Sequence, residues 1–124
     1  MARAARDATG AQRAWVFASV APHARLRLTG SDGGAVPEAA DALALRTAGV
    51  AINAELAVVV LGEAPGPLAD AAFLGVPVPF VDGRMGALVV IGGQPLVAGR
   101  AAADALVALA WAQVQVHRRV GGAR

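Results

Sequence analysis

The chain has 124 residues, 56% of them hydrophobic and 16% charged, with no Cys. That is enough apolar material to close one core in a single domain, 1–124, and it excludes disorder, disulfides, thiolate metal ligands and thiol catalysis. All eleven basic residues are Arg, which removes lysine Schiff-base chemistry, and a net charge of only +2 with scattered arginines leaves no contiguous basic footprint for nucleic acid.

Residues 2–9 have helix-forming composition, and Gly10 supplies the stop. Two turns alone are marginal, so this helix needs a surface to dock on. Its shortness fits a native short helix or a longer one excised from a larger regulatory protein. No apolar signal core follows Met1, so a cytoplasmic protein is expected. Residues 14–20 read as a strand, with Trp15, Phe17 and Ser19 on one face and Val16, Ala18 and Val20 on the other. Apolar residues on both faces imply a central strand. After the turn Ala21-Pro22-His23, residues 24–29 alternate, Leu26 and Leu28 inward and Arg25 and Arg27 outward, as an edge strand would. Residues 30–34 read as a loop.

Pro37 suits the first position of a second helix, with Glu38 and Asp41 at its positive end. Leu43, Thr47, Val50 and Ala54 form its expected buried stripe, with Leu45 and Ile52 beside it. Gly49 ends or weakens it. Residues 56–61 are a β-branched run and read as a strand, residues 62–67 as a loop, and residues 68–74 as a short helix.

Asp82-Gly83 lies between two apolar runs, a strong hairpin signal because Gly takes a positive φ without cost. A two-residue turn pairs Phe80 with Met85, Val78 with Ala87 and Val76 with Val89. Both faces of this hairpin are apolar, so it belongs inside a sheet covered on both sides. Pro77 and Pro79 share parity, so one edge of their strand lacks two amide donors. With a two-residue loop those gaps face the hairpin partner, and with a four-residue loop they face outward. The outer neighbour, residues 56–61, is therefore expected to make a short or bulged ladder.

A long helix spans about 100–119, with Arg100 and Asp104 at i,i+4 and Arg118 and Arg119 at its negative end. It is too short and too polar to span a bilayer. It carries two apolar stripes. One holds Ala102, Leu106, Leu109, Gln113, Val116 and Val120. The other holds Ala103, Val107, Trp111 and Val114. A helix lying on a sheet needs one stripe. The second is covered by the N-terminal helix or by a partner helix, and the partner reading gives a homodimer interface at Ala103, Val107, Trp111 and Val114.

This order of elements resembles the GAF domain family, relatives of the PAS sensors. Residues 5–17 are similar to the family's opening helix and first strand, and Leu26-Arg27-Leu28 to its second strand. Val76-Pro77-Val78 and residues 82–90 are similar to its fourth and fifth strands, and residues 100–116 to its closing helix. The resemblance implies an α+β fold, a central antiparallel sheet of five to six strands with the N- and C-terminal helices on one face. It also implies that the other face often forms a roofed ligand pocket. Such modules sense small molecules or dimerise in signal transduction, inside kinases, transcription regulators and cyclase-type proteins. Members are usually longer, so the links 34–56 and 62–72 have to supply the whole roof here.

Trp15, Phe17, Phe73, Val78 and Phe80 are the candidates for that pocket's wall, for a small apolar or amphipathic ligand; the bland alternative is that they are core. No phosphate loop is present, and the glycines serve turns and bulges. His23 and His117 are isolated, so no metal or redox cofactor is expected. Asp70, Asp82 and Asp104 form no acid–base pair, and Ser19 and Ser31 lie in no nucleophile elbow. The expectation is a non-catalytic regulatory module, not an enzyme, that senses a small molecule or dimerises. The alternative is a structural dimerisation domain without a ligand.

Overall fold

Strands that are apolar on both faces need helices above and below, and the computed structural model shows both layers. It describes residues 1–19, 25–62, 66, 68–79, 85–93 and 100–122, with residues 113–122 as backbone only. The chain runs α1 (Ala2–Thr9), β1 (Arg13–Ser19), β2 (Leu26–Gly33), α2 (Ala39–Ala54), β3 (Val58–Leu61), β4 (Ala71–Pro79), β5 (Met85–Gly93) and α3 (Arg100–Gly122). The strands form one antiparallel sheet in the order β2-β1-β5-β4-β3. This is the expected α+β architecture, with β1, β5 and β4 inside and β2 and β3 at the edges.

The two terminal helices share one face. Ala2 and Ala5 of α1 and Ala102, Leu106 and Ala110 of α3 pack with Val16, Leu74, Val76, Val78, Leu88 and Val90. Gly10 stops α1 in the left-handed region at φ 69. Arg6 of α1 then bonds Asp32 of β2 at 3.0 Å, tying the helix to the edge strand. On the other face α2 covers Trp15, Phe17, Phe73, Ala87, Val89 and Ile91.

The buried stripe of α2 differs from the expected one. It is Ala40, Ala44, Thr47, Ala48 and Ala51, while Leu45 and Val50 are exposed. The reason is volume. The sheet already contributes Trp15, Phe17 and Phe73, and a close-packed interface leaves only methyl-sized space opposite them. Gly75 of β4 lets α2 come closest, since a Cβ there would stand 2.8 Å from Thr47 Cγ2. The Trp15 indole N–H donates to Asp41 at the start of α2 (3.0 Å), which satisfies the polar end of a buried ring. Gly49 lies inside α2 and does not end it.

The β4–β5 register also differs. Pro79 pairs with Met85, Val78 with Gly86, Pro77 with Ala87 and Val76 with Leu88. This is one residue away from the pairing that a two-residue Asp82-Gly83 turn requires, and five residues separate Pro79 from Met85. A one-residue slip exchanges faces. Val76 and Val78 therefore share a face with Leu88 and Val90 rather than with Val89 and Ile91. The turn itself lies outside the described residues.

Both sheet edges are blunted. β2 continues through residues 30–33, expected as loop, and carries a bulge: Val16 pairs with Gly30 and Phe17 with Leu28, leaving Thr29 as the extra residue. The Thr29 hydroxyl donates to the Val16 carbonyl at 3.1 Å. The bulge shifts the alternation of residues 30–33, while Leu28 keeps the expected face opposite Phe17 yet is exposed, because it stands at the sheet edge outside the cluster under α2. At the other edge β3 pairs with β4 over four residues only, from Leu61↔Ala72 to Val58↔Gly75. The ladder ends before Pro77, as the missing donors require. Residues 68–74 are not a helix. A turn bonds Ala71 N–H to Leu68 O (3.0 Å), and β4 begins at Ala71. Helix propensity there yields to ladders on both sides of β4.

Candidate functional site

β4 outruns its neighbour. Beyond Gly75 its outer edge has no described strand against it, and the β5 ladder continues unbroken past both prolines. Only one orientation fits: Pro77 and Pro79 turn their ring nitrogens and carbonyls to the bare edge, where no donor is missed. The chain reaches this place from α2 through Glu55, which caps the helix in the left-handed region at φ 58. Leu56 and Ala57 then cross to β3.

A cleft of about 450 Å³ opens between this edge and α3. Val76 and Ala110, both buried, form its floor. Leu56 and Ala57 stand on one side and Val107 and Trp111 on the other, with Pro77, Pro79, Met85 and Glu55 completing the lining. Among the described residues, Glu55 is the one ionisable side chain that lines it. Its carboxylate makes no ion pair with another described residue. Apart from Glu55, the side chains of its described walls are apolar.

The open surface continues along α3. Trp111 is 58% exposed and Val107 38%, while Leu56 beside them is 58% exposed. α1 does not cover this stripe. It packs with Ala102, Leu106 and Ala110, a quarter-turn away. Ala103 sits partly buried against the same core, so it borders the stripe and does not lie open on it. The backbone of Val114 continues the helix, and its side chain lies outside the described residues.

The five pocket-wall candidates are not brought together. Trp15, Phe17 and Phe73 are buried under α2, with the Trp15 and Phe73 ring centroids 6.0 Å apart. Val78 is buried on the opposite face, under the terminal helices: strand alternation separates it from Phe73, and the register shift separates it from Trp15 and Phe17. Phe80 lies outside the described residues. The cleft uses other residues, and the sequence held one signal for it. Two same-parity prolines predict a bare strand edge, and a bare edge beside a helix with an uncovered Trp is a groove.

Among the described residues no three His, Asp or Glu side chains come together as a metal site would need, and no helix is long and apolar enough to cross a membrane. His23 and the side chain of His117 lie outside the described residues. The Arg100–Asp104 pair forms at 3.7 Å but is exposed, and such pairs contribute little. No protein-family model matches the chain, and no curated protein matches it.

Proposed function

We propose that the chain is a non-catalytic, GAF-like regulatory module of the cytoplasm that senses a small molecule and works as a homodimer through α3. The observation that carries the dimer is the exposed stripe of Val107 and Trp111, which no described element of its own chain covers. Burying such side chains is worth about 1.5–3 kcal/mol each, and a Trp at the centre of an interface is a common anchor. Two α3 helices packed about a two-fold axis would place each Trp111 on the same stripe of its mate. The GAF-like part of the reading is supported by the order of elements and by the terminal helices sharing one sheet face.

Sedimentation velocity over a concentration series tests it. The expected result is a dimer at tens of micromolar that Trp111→Glu converts to a monomer with an unchanged far-UV circular dichroism spectrum. A monomeric unmutated protein at that concentration refutes the dimer.

One observation favours the second reading, a structural dimerisation domain without a ligand. The face on which the family resemblance puts a pocket is filled: Ala40, Ala44 and Ala48 lie directly on Trp15, Phe17 and Phe73. Sensing therefore has to use another site.

A further inference from the structure

We propose that the cleft between the bare edge of β4 and α3 binds a small organic cation with an apolar body, an alkyl- or arylammonium. The inference rests on the sensing reading above and gives it a site and a ligand chemistry. The volume of about 450 Å³ and the walls of Leu56, Val76, Val107 and Ala110 ask for an apolar body. Among the described residues, the one ionisable lining side chain is an acidic one, Glu55. It caps the C-terminus of α2, the negative end of that helix. Pro77 and Pro79 turn carbonyls, and no N–H, toward the open edge. Trp111 adds a ring whose face attracts cations.

The backbone adds a further argument. Glu55 holds φ 58, a conformation that favours glycine at the end of a helix. The chain keeps a carboxylate there at a cost in stability, in the manner of strained residues at binding sites. A β-strand is excluded as occupant, since an added strand requires N–H donors that prolines lack.

The test uses three probes of similar shape: benzyltrimethylammonium, neutral benzyl methyl sulfone and phenylmethanesulfonate. Binding is read by methyl chemical shifts of Val76, Val107 and Met85 in the full chain. The ammonium should shift these methyls saturably and bind about threefold to tenfold tighter than the sulfone, with the sulfonate weakest. Glu55→Gln should remove most of that preference while leaving sulfone affinity unchanged. Trp111→Leu should weaken the ammonium more than the sulfone. Equal affinity for ammonium and sulfone overturns the proposal, as do an unaltered preference in Glu55→Gln and the absence of saturable shifts with any probe. Sedimentation of the same samples separates this from the dimer. A monomer that prefers the ammonium keeps the cleft and removes the dimer, and a dimer without that preference does the reverse.

Discussion

Gly75 and Thr47 offer a direct test of how α2 sits on the sheet. In Gly75→Ala the new Cβ would stand 2.8 Å from Thr47 Cγ2, 3.3 Å from the Thr47 carbonyl oxygen and 3.6 Å from Ala51 Cβ. The first distance is shorter than real methyl contacts allow, and Thr47 cannot swing away. It is fully buried, and its hydroxyl donates to the Leu43 carbonyl at 2.7 Å. The helix must therefore lift. Overpacking of this kind costs about 1–3 kcal/mol, offset by about 0.4–1 kcal/mol from the stiffer unfolded chain. Net destabilisation should be about 1–2 kcal/mol. Thr47→Ser removes the offending methyl and keeps the hydroxyl bond, at a cost of about 1 kcal/mol. In the double variant the new methyl occupies the space vacated by the old one, so the two costs should not add. A coupling of about 1–2 kcal/mol is expected from urea unfolding followed by far-UV circular dichroism. Additivity within about 0.3 kcal/mol, or a neutral Gly75→Ala, would show that α2 is not seated on Gly75.

Other outcomes follow from the same packing. Gly49→Ala should raise stability by about 0.5–1 kcal/mol, because Gly49 lies inside α2 and a Cβ added there would meet no atom within 4 Å, and thermal unfolding reads the gain. Glu55→Gly should also stabilise, by about 1 kcal/mol, by relieving the left-handed backbone at the helix end, while abolishing any ammonium preference of the cleft. Leu106→Ala should cost about 2–5 kcal/mol in urea unfolding, since Leu106 is fully buried where α3 meets α1 and the sheet.

How much of this is legible in the sequence depends on which physical term decides each feature. β1 and β5 are readable as inner strands, because residues such as Trp15 and Val16, or Leu88 and Val89, leave no face for water. The terminal helices on one face follow from the family resemblance, and the short β3 ladder from the same-parity prolines. The β4–β5 register is not readable. Asp82-Gly83 is a strong local signal, yet the pairing is set by the cover both faces need, and Pro79↔Met85 leaves five residues for the connection. The α2 stripe escapes an amphipathicity argument, which weights Leu and Val above Ala. Packing against Trp15, Phe17 and Phe73 selects for small volume instead. Leu28 keeps the face opposite Phe17 but is left open at the sheet edge, and the bulge at Thr29 has no composition signal. The cleft combines the end of α2, the edge of β4 and one side of α3, three segments far apart in the chain, so only the tertiary arrangement assembles it.

The prolines connect the two halves of the functional argument. An uninterrupted β4 would let Leu56 and Ala57 continue the β3 ladder alongside residues 76 and 77 and narrow the cleft, since Glu55 and Ala54 already belong to the end of α2. It would also present a longer edge ladder to other chains. With Pro77 and Pro79 in place, β3 stops at Val58, and what remains is an apolar groove without amide donors. At the opposite edge the Thr29 bulge disturbs β2 in the same sense. Strand-to-strand association is thus disfavoured at both ends of the sheet. The large apolar side chains left open beside the cleft are Val107 and Trp111 on α3 and Leu56 opposite them. Trp111 belongs to the cleft lining and to the exposed stripe at once. A molecule entering the cleft must contact the same ring that a second copy would cover. Under the proposed function, occupancy of the cleft and self-association are therefore linked through one side chain, and by reciprocity each changes the affinity of the other by the same factor.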